Sequence, residues 1–446
     1  MSIAFYEWSI TAPDVKQRLL RRAQADIDSV ITDIRPIIDD VAARGDDALR
    51  DYAAKFEGAT LTDIKCAPED FDAAEALLPE DLKSAIRHCV KNVKTFHGEQ
   101  MRRVHDEGDW MMEVEGGVWA GERVNAIPSV GLYVPRGKGA FPSALYMLAV
   151  PAVLAGVETI AVVTPPTPDG ADEKTSINNA DAATLYTAKL CGIKNVYKCG
   201  GAQAIAALAH GTDSVPKVTK VLGPGSPYVA AAKRALSHIM DPGMPAGPSD
   251  GIVLADGSAD PYNTCLDVLN EAEHGKDSAV LLITHDAELA AYVRDNLADA
   301  IAELPQPHRE ICEYVFNPDQ GYGGIVLTDS LEASIALSND YAPEHLHLKI
   351  ENPDEAIPKL TDAGEILIGE MTPSTLGNYG TGVNHVLPTG GWAKTQSCTS
   401  VWDFLKRTSV SKVDAQGFET LKHPVTTLTD YENFPAHGDV IRKRNL

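Results

Sequence analysis

The chain has 446 residues, 44% of them hydrophobic and 23% charged, the composition of a globular protein too long for one ordinary core, so at least two domains with smaller appendages are expected. Its formal charge of −24 repels polyphosphate backbones, and no concentrated run of Lys and Arg offsets it, which argues against nucleic acid as a partner. No apolar run approaches the roughly 20 residues that cross a bilayer, and Met1 to Asp14 lacks the basic-then-apolar pattern of a signal peptide, so no membrane association and a cytoplasmic location are expected.

In chain order, residues 13–56 read as helices. Val15, Leu19, Ala23, Ile27, Val30, Ile31 and Ile34 recur at spacings of three and four. Pro36 interrupts, and Ile37, Ile38, Val41 and Leu49 carry the stripe toward Gly58. Such a stripe packs on a core or a partner. From residue 130 short β-rich runs alternate with helical stretches. Strands are expected at Ile160–Thr164, Asn195–Lys198, Val218–Leu222, Gly251–Ala255, Ala279–Thr284, Gly324–Thr328, His345–Ile350 and Glu365–Ile368. Helices are expected at Pro142–Ala155, Ala202–His210, Val229–Met240, Pro261–Glu273, Ala287–Leu304 and Leu331–Asn339. Strand, helix, strand in this rhythm implies an α/β fold of parallel sheets with helices on both faces, and two such modules fit the length. After about residue 400 the chain is largely polar and helical in pattern, a small accessory piece suited to docking on a partner subunit.

The seven cysteines (Cys66, Cys89, Cys191, Cys199, Cys265, Cys312 and Cys398) are scattered and never spaced as Cys-x-x-Cys, which argues against a disulfide framework and a thiolate zinc site. None sits in a recognisable nucleophile context. Doubly wound sheets bind ligands at the carboxyl ends of their strands. There the glycine-rich segments Tyr133–Gly139, Gly200–Gln203, Gly223–Pro227 and Ala246–Asp250 are candidates, because glycine lets backbone N–H groups approach an anion. No Gly-x-Gly-x-x-Gly fingerprint or phosphate-binding Gly-x-x-x-x-Gly-Lys-Ser/Thr is present, and each loop taken singly reads as a structural turn in preference to a ligand site. Glu271 and His274 are three apart, share a helix face and are placed to chelate one ion, given further ligands such as His385 or His437. Glu344-His345 opens a strand and pairs a carboxylate with the side chain that titrates nearest neutrality.

Together these segments resemble the histidinol dehydrogenase family. The matching stretches are Val130–Pro135, Gly201–Ala206, Leu222–Gly225, Met244–Ser249, Ala272–His274, Tyr341–Leu346, Asn384–Thr389 and Ser400–Arg407, in the family's order over roughly residues 30 to 440. The resemblance implies oxidation of a primary alcohol through an aldehyde to a carboxylate, with NAD used twice and one zinc. It implies that His345 accepts the alcohol proton and Glu344 helps activate water. It implies Tyr133, Gln203 and Ser226 at the cofactor, and Ser249, Glu271, His274, His345, Asn378, His385, Glu432 and His437 around the substrate. The zinc set would be Glu271, His274, Asn378 and His437. It also implies a homodimer whose tails complete the neighbour's site with Glu432 and His437. The modules then resemble incomplete dinucleotide folds: an N-terminal helical arm over 1–28, a first domain over 29–132 and 250–398, an inserted second domain over 133–249, and a tail over 399–446.

Departures from the family pattern refine this. Glu271 stands where the family has Gln, and Asn378 where it has Asp, two changes of opposite charge that keep one carboxylate in the ligand set; the rival reading is drift at an abandoned site. Ser226 replaces an Asn that touches NAD, and Asp250 replaces a Glu. Arg136 and Lys138 replace small residues beside the cofactor loop, and read either as a cradle for an anionic group or as solvated surface cations. The alternatives to histidinol are a sulfonated diol, the substrate of a related branch, and a catalytically silent binding homologue.

Overall fold

The computed structural model describes residues 1–22, 27–136 and 139–444; Ala23 and Lys138 lie outside them. Two parallel sheets organise the chain. The larger has six strands in the order Phe5–Glu7, Gly324–Leu327, Ala279–Thr284, Asp250–Ala255, His345–Lys349, Glu365–Ile368. The smaller has four, in the order Val196–Lys198, Thr159–Thr164, Ser129–Tyr133, Lys220–Leu222. Every neighbouring pair in both is parallel. The α/β class with two parallel-sheet modules is therefore present, and seven of the eight expected strands pair within a residue of their expected start.

Both sheets are buried on both faces, as parallel sheets must be. In the larger sheet Val253, Val280, Leu282 and Ile325 pack toward the helices Pro261–Ala272, Ala287–Glu303 and His308–Val315. The alternate residues Ile252, Leu254, Leu281, Ile283, Leu346 and Leu348 pack toward Leu331–Tyr341. In the smaller sheet Val130, Leu132 and Val162 face one helical layer, and Tyr133, Ala161 and Val163 face the other.

Three features add to the expected organisation. Within residues 1–22, Phe5–Glu7 adds in parallel to Gly324–Leu327 as an edge strand of the larger sheet, ahead of the helix Pro13–Arg21. Residues 29–107 pack on the smaller sheet and not on the larger one. Ile34, Ile38 and Val41 share a core with Ile205 and Val229, and Ile86, Val90 and Val93 share one with Leu145 and Leu185. The tail is not purely helical. Leu405–Val413 pairs antiparallel with Val118–Ala126, which pairs in turn with Trp110–Glu115, to make a three-stranded sheet. Lys406-Arg-Thr-Ser-Val-Ser-Lys412 offers no apolar face, and its residues are mostly exposed, so period-two patterning had nothing to register. Ser129–Tyr133 was also unannounced, since Gly131 and the flanking prolines shorten its apolar run.

Candidate functional site

The smaller sheet presents carboxyl ends to a cleft, as expected, but the larger sheet presents amino ends. Asp250, His345 and Glu365 are each the first residue of their strand, and Gly251↔His345↔Glu365 are cross-strand neighbours in register. Ala246–Asp250 accordingly precedes a strand instead of following one. A cleft of about 720 Å³ opens here, lined by Gly223, Gly225 and Lys233 from the smaller module and by Ser249, Asp250 and Gly390 from the larger.

The helix Pro261–Ala272 brings Glu271 to the same end. Asp260 caps it by accepting from the Asn263 N–H, and Pro261 sits in the first turn. It runs back along the sheet, so its last turn lies above the strand starts, where Gly251 leaves room: a Cβ there would fall 3.2 Å from Glu271 Cγ. Glu271 is 2% exposed. Its Oε1 accepts from Asn270 Nδ2 at 2.7 Å and from Asn378 Nδ2 at 3.4 Å. Its Oε2 lies 3.1 Å from His274 Nδ1 and 3.8 Å from His345 Nε2. His274 Nδ1 is also 3.0 Å from Ser249 Oγ. His345 Nε2 is 3.7 Å from Glu344 Oε1, and its Nδ1 is 2.5 Å from Glu365 Oε1.

Charge is concentrated in this small volume. Burial would lower the His345 pKa, but the carboxylates of Glu271, Glu344 and Glu365 together hold it well above the usual imidazole range. Burial would raise that of Glu271, and the facing imidazoles of His345 and His274 hold it well below the ordinary carboxylate value. Glu344 goes the other way: burial pushes it up to about 8, with Asp250 and Glu271 adding to the rise against His345. His385, lowered to about 4 by burial, is held neutral beside Asn378.

The structure thus brings together Ser249, Glu271, His274, Glu344, His345, Asn378 and His385. It does not bring Glu432 and His437 to them within one chain. Glu432 ends the helix Ala415–Tyr431, and His437 stands exposed against Phe434, ring centroids 5.1 Å apart. Of the expected cofactor residues, the Tyr133 hydroxyl accepts from the Gly201 N–H at 3.1 Å, Gln203 is buried and donates to Glu57, and Ser226 opens the helix Pro227–Ala235 without a side-chain cap bond. All three lie at the carboxyl ends of the smaller sheet.

The donors fit a divalent cation only in part. Glu271 Oε2 and Asn378 Oδ1 are both buried without a hydrogen bond, the condition expected of oxygens reserved for a metal. Within the described residues, however, no group of three or more His, Cys, Asp and Glu side chains is arranged around one point. His437, the fourth ligand that the resemblance implies, is elsewhere in the same chain.

Sequence reading missed Glu365, Arg22 and Glu57. Glu365 had a signal, a carboxylate opening the apolar strand Glu365–Ile368. Arg22 and Glu57 had none.

A family model for histidinol dehydrogenase matches residues 20–445. The chain belongs to the histidinol dehydrogenase family. It is 46% identical over 435 residues to a histidinol dehydrogenase of Synechocystis, covering 97% of this chain and 96% of that one. It is 39% identical to the Escherichia coli O157:H7 histidinol dehydrogenase over 98% of this chain and 96% of that one. A crystal structure of histidinol dehydrogenase from Elizabethkingia anophelis superposes with a TM-score of 0.88 at 33% identity, covering 99% and 97% of the two chains. As a member of the histidinol dehydrogenase family the protein is an NAD-dependent oxidoreductase. No helix among the described residues is long and apolar enough to cross a membrane.

Proposed function

We propose that the protein oxidises L-histidinol through the aldehyde to the carboxylate, with His345 as general base and Glu344 as the residue that activates water. The observation that carries this reading is the convergence of Glu344 Oε1 and Glu271 Oε2 on His345 Nε2, each within 3.8 Å of it, beside the cleft residues Ser249 and Asp250. In the first step the alcohol loses its O–H proton to His345 Nε2 and its C–H hydride to NAD, giving aldehyde and NADH. In the second, water adds to the aldehyde, and the hydrate loses an O–H proton to His345 Nε2 and its C–H hydride to a second NAD, giving the carboxylic acid, which releases a further proton to solvent as it ionises to the carboxylate. Glu344, with its pKa near 8, is poised close to neutrality, where a general base for that water is most effective. Its backbone N–H is fixed by Asp250, so the carboxylate is aimed by the sheet and not by a mobile loop. Burial of Glu344 and His345 keeps bulk water from competing for the proton.

Glu271, His274 and Asn378 would hold zinc, with His437 of a neighbouring subunit as the fourth ligand. When bound, zinc would orient the alcohol oxygen and offset the negative field that favours imidazolium at His345. The trans arrangement is supported by the tail. Leu428, Tyr431, Phe434 and Val440 are all at least half exposed, as are Met112 and Val114 on the hairpin beside it, an apolar surface suited to a second copy of the chain.

The test is NADH production over histidinol, histidinal, a sulfonated diol and other polyols, with zinc supplied. Histidinol should give the highest kcat/KM and two NADH per molecule. Preference for the sulfonated diol would overturn the substrate assignment, and no turnover on any of them would support a silent homologue.

A further inference from the structure

Strand register places a carboxylate beside the His345 imidazole, at its Nδ1 edge. Glu365 is the cross-strand neighbour of His345, and its Oε1 lies 2.5 Å from His345 Nδ1. A carboxylate only accepts, so Nδ1 carries the hydrogen of that bond. The other ring nitrogen, Nε2, faces Glu344 and Glu271. The site for Glu365 is built: Gly377 abuts it, where a Cβ would fall 3.3 Å from both carboxylate oxygens, and the side chain is 8% exposed.

We propose that Glu365 is a positioning residue that fixes the ring orientation and tautomer of His345, holding Nδ1–H inward so that Nε2 is the nitrogen offered to substrate. This rests on His345 being the base. A base oriented by a third group through its far nitrogen is the general logic of activated catalytic imidazoles. Glu365 touches no reacting atom. It acts through the two χ angles of His345, which otherwise has Glu344 and Glu271 as competing partners for either nitrogen.

The experiment compares wild type with Glu365→Ala, the near-isosteric Glu365→Gln and His345→Asn, each checked for zinc content and thermal midpoint. The downfield proton resonance of His345 Nδ1–H, assigned by its absence in His345→Asn, should disappear in Glu365→Ala and move upfield in Glu365→Gln. With histidinol, kcat should fall roughly 10- to 100-fold in Glu365→Ala, a part of the range for a lost general base, while KM changes by less than about threefold, because ground-state binding is untouched. Glu365→Ala should add nothing in the His345→Asn background, the coupling expected of one unit. An unchanged resonance in both Glu365 variants, or a kcat within about twofold of wild type in both, overturns the proposal. If His345→Asn turns over normally, the base assignment falls on its own. The resonance still reports the Glu365 contact if histidinol is not the substrate.

Discussion

Asp250, which opens one strand, and Glu344, the residue just before the neighbouring parallel strand, hold each other: the Glu344 N–H donates to Asp250 Oδ1 at 2.7 Å, and the Asp250 N–H donates to Glu344 Oε2 at 3.2 Å. The second oxygen of Asp250 accepts from the Gly390 N–H at 2.7 Å and pairs with the Arg22 guanidinium at 2.9 Å. Arg22 in turn lies 3.6 Å over the Tyr341 ring. One buried carboxylate therefore ties the amino-terminal segment, the Gly390 loop and the Glu344 backbone together. Burial raises the Asp250 pKa, and Arg22 and the two N–H donors oppose the rise.

Asp250→Ala should be strongly destabilising. It leaves the Arg22 guanidinium buried without its ion-pair partner and two N–H groups without acceptors, a loss of about 3–5 kcal/mol. Asp250→Asn keeps an acceptor and should cost less. Urea unfolding of the three proteins measures this; a loss below about 1 kcal/mol for the alanine variant would mean the network is solvated and not structural.

His345→Asn should lower kcat by roughly 10²–10⁴ while leaving zinc content nearly unchanged, as expected for removal of a general base. Steady-state kinetics and metal analysis of the same preparation check it. Near-normal turnover removes His345 from the mechanism.

What the sequence made legible follows from where periodicity and motif coincide. The strand His345–Lys349 was readable because Leu346 and Leu348 fill one face, and Glu344-His345 stood at its start. The helix Pro261–Ala272 was readable in the alternation of strands and helices, and the three-residue spacing of Glu271 and His274 put them on one side. The end of the sheet at which they meet was not readable, because order along a chain does not say whether a site uses strand starts or strand ends. Glu365 was invisible as a partner of His345 because register between strands 20 residues apart is set by packing. The strand Leu405–Val413 was hidden for a related reason: a strand with no buried face has no hydrophobic period to read.

Glu57 offers a pH test remote from the metal ligands. It closes the π-helical turn Ala53–Glu57 and accepts from Gln203 Nε2 at 3.3 Å, and burial raises its pKa to about 7. A raised carboxyl stabilises the fold below its unfolded value of 4.5, and that contribution is lost as pH rises through about 7. Glu57→Gln removes this dependence. The variant should gain on wild type between pH 5 and 8, levelling at roughly 1–2 kcal/mol once solvent access to the site is allowed for. Unfolding curves at several pH values decide it; a difference that stays flat with pH would show that Glu57 ionises normally.

Trans completion of the site predicts complementation. An inactive His345→Asn chain carries an intact tail, and an inactive His437→Ala chain carries an intact His345. Hybrid dimers formed by mixing unfolded and refolded chains should recover part of the wild-type rate, since one of the two sites regains every residue. No recovery, with hybrids confirmed by mass, would mean each chain is self-sufficient.

The exchange of charge between Glu271 and Asn378 gives the sharpest test of the metal centre. The two side chains are neighbours, Asn378 Nδ2 lying 3.4 Å from Glu271 Oε1, so a carboxylate at either position would serve the same cation. Glu271→Gln leaves two amides and two imidazoles in the proposed set, with no anion to balance a dication. Zinc affinity should fall about 10- to 100-fold or more, and further than in Asn378→Ala, because a neutral amide oxygen contributes less than a carboxylate. Adding Asn378→Asp to Glu271→Gln restores one carboxylate from the opposite side and should recover much of the loss, a coupling expected only of residues that share a partner. The same pair of changes predicts a second readout. Glu271 is the largest of the carboxylate influences that raise the His345 pKa, so the single Glu271→Gln variant should titrate His345 at lower pH than wild type. Competitive chelator titration and the pH dependence of the His345 resonance measure the two effects on the same four proteins. If the double variant binds zinc no better than Glu271→Gln alone, the two positions do not share an ion, and the compensation argument fails.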